Sequence, residues 1–114
     1  MKFDTPNGTI AISNEVIATI ASSAAQNCFG VKAMARRSPL DGLVHLLRRE
    51  MQTGGVEVRS GESGILLDLH IAVSAGVNVP AVCRSIAEEV RYNVQQLCGV
   101  PVERVNLYID AVKA

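Results

Sequence analysis

Within residues 79–112 the apolar period changes once, and that change restricts the fold more than any other feature of the chain. Val82, Ile86, Val90, Val94 and Leu97 recur at helical spacing and predict an apolar stripe along one helix face. Asn78 or Val79 begins that helix, with Pro80 tolerated because its missing amide falls in the unpaired first turn. Gly99 is the stop, since glycine adopts the left-handed turn that lets the last carbonyls be capped. After a short Val-Pro turn, Val105, Leu107, Ile109 and Ala111 alternate with Asn106, Tyr108 and Asp110. A period of about 3.6 has become a period of 2, so a helix feeds a half-buried strand.

A similar unit opens the chain. Ile10 and Ile12 alternate with Thr9 and Ala11 and predict a short strand over residues 9–12. Ser13 is an N-cap, Glu15 suits the positive end of the helix dipole, and Ile12 and Ile17 have the spacing of a hydrophobic staple. Ile17, Ile20, Ala21, Ala24 and Cys28 share one helix face, Gly30 stops the helix, and Val31, Ala33 and Ala35 alternate as a second strand. Both units hold an Ile-Ala pair, a late cysteine, a stopping glycine and a following valine. The pattern reads as a weak duplication of a strand–helix–strand unit, although shared packing needs would produce it too.

Between the units, Arg36-Arg37-Ser38-Pro39 breaks the strand, and Asp41 caps a short helix over residues 42–51 with Leu43, Val44 and Leu47 as its apolar side. Val56-Glu57-Val58 starts a strand, residues 60–64 turn, and residues 65–73 return, which is a hairpin signal. Leu67, Leu69, Ile71 and Val73 face one way, and Leu66, Asp68, His70 and Ala72 the other. The expectation is a single domain over residues 1–114, an α/β chain of the two-layer α+β kind. One mixed sheet carries two long helices on one face, in the order strand, helix, strand, short helix, hairpin, helix, strand. Glu57, Arg59, Asp68, His70, Asn106 and Asp110 argue against helices on both faces.

At 114 residues the chain has room for one core, and with 48% apolar but only 4% aromatic residues that core must be aliphatic. Eleven basic residues balance eleven acidic ones, a poor start for a general nucleic-acid binder. Three cysteines without a C-x-x-C pair favour a reducing compartment. The first ten residues lack the apolar run of a secretory signal, and no apolar stretch approaches the roughly 20 residues that span a bilayer. A soluble cytoplasmic protein is expected, with any place at a membrane supplied by a partner.

Candidates for chemistry are few. His45 and His70 sit in no ligand motif, and each cysteine lies on or beside a helix core stripe, where it behaves as a small hydrophobe. Glu88 and Glu89 point about 100° apart on a helix and, with Arg84 and Arg91, read as a solvated ion-pair face. Asp68 and Asp110 are a carboxylate pair only if they meet across neighbouring strands, and nothing places a pocket there. The G-x-x-G at residues 61–64 joins two strands and carries Glu62, so it is a turn and not a phosphate clamp. Lys32, Arg36, Arg37, Arg48 and Arg49 form a basic cluster able to meet an anionic surface, RNA or an acidic partner.

Taken together, the run GTIAISNEVI at residues 8–17, Gly30-Val31, Asp41-Gly42-Leu43, GVEV at residues 55–58, Val90, Gly99-Val100 and Val105-Asn106-Leu107 resemble the alkaline shock protein family, the general-stress and envelope-stress proteins of Gram-positive bacteria. The resemblance covers almost the whole chain. It implies a cytoplasmic fold without known catalysis, and association with the envelope through membrane-anchored partners or self-assembly; no cofactor or metal is expected. Many relatives carry charged terminal extensions, whereas this sequence starts just before its first expected strand.

The expected function is therefore a non-enzymatic scaffold or adaptor in cell-envelope homeostasis, acting by protein–protein contacts and able to form homo-oligomers. The expected contact positions are Arg36, Arg37, Arg48 and Arg49, with a sheet face carrying Asp68, His70, Tyr108 and Asp110. The alternative is a small RNA- or ribosome-associated module that uses the basic cluster, although the aromatics that stack on single strands are scarce.

Overall fold

The computed structural model describes residues 1–34 and 55–113. Among these residues it is α+β, with two helices and two sheets. Strand β1 (Lys2–Thr5) and β2 (Gly8–Ala11) form an antiparallel hairpin, and helix α1 (Asn14–Gln26) leads to β3 (Val31–Met34). Then come β4 (Val56–Ser60), β5 (Ile65–Ser74), helix α2 (Val79–Cys98) and β6 (Val102–Lys113).

Strand β5 is the axis of the main sheet. On one edge, β4 pairs antiparallel with its first half, from Ser60↔Ile65 to Val56↔Leu69. On the same edge, β3 pairs antiparallel with its second half, where Met34 meets Ile71 and Val31 meets Val73. The other edge is taken along its whole length by β6, which runs parallel. Parallel neighbours need a long crossover, and α2 supplies it. The main sheet is mixed, as the sequence predicts.

The odd-numbered residues of β5, Ile65, Leu67, Leu69, Ile71 and Val73, are buried beneath the two helices. From α2 the core receives Val82, Ile86, Val90, Val94 and Cys98, and from α1 Ile17, Ala21, Ala24 and Ala25. The α1 contribution is mostly small, which lets the two helices lie close together, and they pack extensively on each other. Burying each Leu, Ile or Val here contributes about 1.5–3 kcal/mol. Ser22, also buried, accepts a hydrogen bond from Gln26 Nε2 at 2.9 Å.

The helix ends follow their local chemistry. Ser13 Oγ accepts from the Val16 amide at 3.2 Å, and Asn78 Oδ1 accepts from the Ala81 amide at 3.1 Å. Gly99 closes α2 at φ +70° and donates its amide to Gln95.

Four expectations need correction. The first strand is preceded by another, β1, and the pair forms its own sheet beside the main one. The order therefore opens with a hairpin, and the sheets number two among the described residues. Leu97 is exposed and Cys98 is buried in its place, because the α2 stripe advances in steps of four from Val82 to Cys98. Strand β6 begins at Val102, three residues before the expected start, because β5 is long enough to pair with all of it. The other face of β5 is more buried than a solvent face, with Asp68 and Ala72 both covered. The short helix expected over residues 42–51 lies outside the described residues.

Candidate interaction face

The sheet surface opposite the helices is built from alternate residues of three strands. Strand β5 places Leu66, Asp68 and His70 on it, and the register sets Arg104, Asn106 and Tyr108 of β6 beside them. Strand β4 adds Glu57 beside Asp68 and Arg59 beside Leu66. Two polar groupings result.

In the first, Asp68 is the hub. Its Oδ1 accepts from Asn106 Nδ2 at 2.9 Å, and Arg59 forks across the carboxylate with Nε 2.9 Å from Oδ2 and Nη2 3.3 Å from Oδ1. Arg59 reaches Asp68 diagonally, since Glu57 is the residue directly opposite. Burial alone would push the Asp68 carboxyl up, but the hydrogen bonds from Asn106 and Arg59 and the guanidinium charge outweigh it and hold it below the ordinary aspartate range. The carboxylate is ionised and fully partnered. Two donors with fixed geometry make this a rigid patch.

The second grouping centres on His70. Its Nδ1 lies 2.9 Å from Asp110 Oδ2, and because a carboxylate only accepts, the imidazole donates. Tyr108 stacks on the imidazole with ring centroids 4.8 Å apart and 15° between planes. Asp110 arrives there through a β-bulge. Ile109 pairs with Ile71 and Ala111 with Ala72, so Asp110 is an extra residue re-aimed toward His70.

A second bulge, at Glu103, works on the turn between β4 and β5. Ile65 pairs with Val102 and Leu66 with Arg104, leaving Glu103 unpaired in the ladder. Its Oε2 accepts from the Ser63 amide at 3.3 Å, while Ile65 donates to the Pro101 carbonyl at 3.0 Å. A Cβ at Gly64 would stand 2.5 Å from Pro101 O, so the second glycine of the G-x-x-G is there for close backbone approach. The motif is a turn docked on the entry to β6.

Of the sequence-predicted contact residues, Asp68, His70, Tyr108 and Asp110 share this face, with Asp68 buried in it and Tyr108 and Asp110 exposed. Asp68 and Asp110 do not form a carboxylate pair, since Asn106 stands opposite Asp68 and Asp110 turns to His70. Arg36, Arg37, Arg48 and Arg49 lie outside the described residues. Arg59 and Asn106 belong to the face and were not among the expected contacts. Their polarity was visible, but their place depends on which strands pair and in what register.

The thiols are not activated. Burial pushes Cys28, Cys83 and Cys98 up, with the nearby Glu89 charge adding to the effect at Cys28. Cys28 Sγ donates to the Ala24 carbonyl at 3.3 Å. Among the described residues no group of three His, Cys, Asp or Glu side chains could hold a metal ion. No described helix is long and apolar enough to cross a membrane. A shallow open groove of about 420 Å³ runs between α2 and β6, lined by Cys83, Arg84 and Ala87 and by Val105, Asn106, Leu107 and Tyr108.

The sequence model of the alkaline shock protein 23 family, described by its cell envelope-related function, matches residues 2–114. Uncharacterized protein YloU of Bacillus subtilis (strain 168) is 40% identical over 110 residues, covering 96% of this chain and 92% of that protein. Uncharacterized protein Spy1614 of Streptococcus pyogenes serotype M6 is 36% identical over 114 residues, covering 99% of this chain and 94% of its own. Among solved structures, a variant of MamM-CTD superposes with a TM-score of 0.52 at 17% identity, covering 87% of this chain and 98% of that one. A second MamM CTD variant gives 0.51 at 18% identity, with 87% and 99% covered. These structures share the fold.

Proposed function

Because the chain belongs to the alkaline shock protein 23 family, whose function is cell envelope-related, we propose that it is a non-enzymatic adaptor of the cell envelope. It presents the open sheet face to a membrane-anchored protein. The observation that carries this reading is the state of the polar side chains on that face. Asp68 is held by Arg59 and Asn106, and His70 by Asp110 and Tyr108. Side chains already locked into one arrangement lose little conformational freedom on docking, which is what a protein-binding surface requires. Mixed charge on the face, with Arg59 and Arg104 at the Leu66 end of β5 and Asp110 toward its other end, sets register and partner choice more than affinity.

A sedimentation assay tests the reading. The purified chain should pellet with envelope membranes from a cognate bacterium, should stop doing so after those membranes are treated with protease, and should stay in the supernatant with protein-free anionic vesicles at physiological salt. Pelleting with the bare vesicles to the same extent would replace the protein partner with lipid.

A further inference from the structure

Strand β6 pairs with β5 along one edge, and no described strand pairs with its other edge. An open edge of this length is a template for another strand, and proteins normally blunt it with charges, bulges or a cover. Here the two bulges fall at Glu103 and Asp110, and the run between them is regular, with Arg104 as its one charged residue. The groove between α2 and β6 lies along that same run, at Val105, Asn106, Leu107 and Tyr108, with small Cys83 and Ala87 on its helix side. Among the described residues the edge is therefore open where it is most regular.

We propose that this edge is occupied by β6 of a second copy of the chain, antiparallel, with Leu107 on the two-fold axis. The charge pattern selects that register. Centred on Leu107, it sets Arg104 opposite Asp110 twice, and both residues lie on the open face, where cross-strand partners must share a side. It also sets Val105 opposite Ile109 and Leu107 opposite Leu107 on the helix side, where all three are partly buried apolar residues. Asp110 holds His70 through Oδ2 and takes the incoming guanidinium through Oδ1. A register centred on Asn106 opposes Arg104 to Tyr108 and makes no opposite-charge pair. One centred on Tyr108 makes its charge pair only between Glu103 and Lys113, at the strand's ends. The result is an isologous dimer with one continuous sheet through both subunits. It deepens the adaptor reading, since two open faces side by side form a bivalent surface.

The test is the mass of the full chain by sedimentation equilibrium from about 1 to about 100 µM. A dimer is expected in this range. Arg104→Glu and Asp110→Arg, alone, each turn two attractive pairs into repulsive ones and should weaken it by about tenfold. The double variant should restore it. With Cys28, Cys83 and Cys98 replaced by serine, Leu107→Cys should oxidise to a covalent dimer, because facing Cβ atoms across such a pair are close to disulfide range. The cross-link decides the matter if a charge variant does not fold. A monomer throughout the range, single reversals without effect, or a double variant that stays monomeric would each overturn the proposal. A monomer that still pellets with protease-sensitive membranes leaves the adaptor reading intact, so the two ideas fail separately.

Discussion

The two faces of β5 are made by alternate residues of one strand, yet they are stabilised by different physics. On the helix side, Leu67, Leu69 and Ile71 are fully buried and have only dispersion and water exclusion to contribute. On the open side, Asp68 and His70 are held by directed contacts to Arg59, Asn106, Asp110 and Tyr108. The first face tolerates no loss of volume. The second can lose a side chain and keep its fold, which leaves it available for recognition.

The contrast breaks most visibly at Leu69. Leu69→Ala should cost about 3 kcal/mol in urea unfolding, because it leaves a cavity beneath both helices. Gly64→Ala comes next. The added methyl meets the Pro101 carbonyl and must push the turn off β6, so the loss should be about 2 kcal/mol, an overpacking cost. A loss under 0.5 kcal/mol at either site would show that the packing is looser than described.

Asp68→Asn is smaller, about 1 kcal/mol, since Arg59 is half exposed and its ion pair is screened. Its effect also depends on pH. A carboxyl held below the ordinary aspartate range contributes stability that is fully present above the unfolded value of about 3.9 and is lost as pH falls through the lower folded value. The wild type and Asp68→Asn should therefore differ at pH 6 and converge in acid, as followed by thermal melts across pH. A constant difference down to pH 2 would remove the ion pair as its cause.

At the least sensitive end, His70→Ala should change stability by under about 0.5 kcal/mol, because the His70, Asp110 and Tyr108 contacts are near the surface. The same substitution removes a fixed aromatic and a charge-bearing contact from the face, so partner capture should suffer while the melt does not.

How much of this was legible in the sequence follows from the range of each interaction. The α2 stripe, its stop at Gly99 and the β4–β5 hairpin depend on neighbours within a turn or two, and local pattern revealed them, while the start of α2 was left between Asn78 and Val79. Strand β1 was missed although Pro6-Asn7-Gly8 is a turn signal with alternating residues on both sides, and Phe3 is the one apolar side chain in its four residues. Leu97 was misplaced because a stripe of threes and fours can end either way, and only the straight step of four decides it. For the face, residue type suggested Asp68, His70, Tyr108 and Asp110. Arg59 and Asn106 were out of reach because their roles rest on a diagonal in one ladder and a parallel register in another. The bulges at Glu103 and Asp110 are likewise products of pairing, with no local signature in the residues themselves.

The most direct measurement takes the wild type and His70→Ala, matched for melting temperature, and quantifies their capture of protease-sensitive envelope membranes side by side. The adaptor account predicts at least about tenfold weaker capture by the variant, the effect of truncating a central contact. Equal capture by the two proteins would mean that the open face is not the surface that meets the envelope.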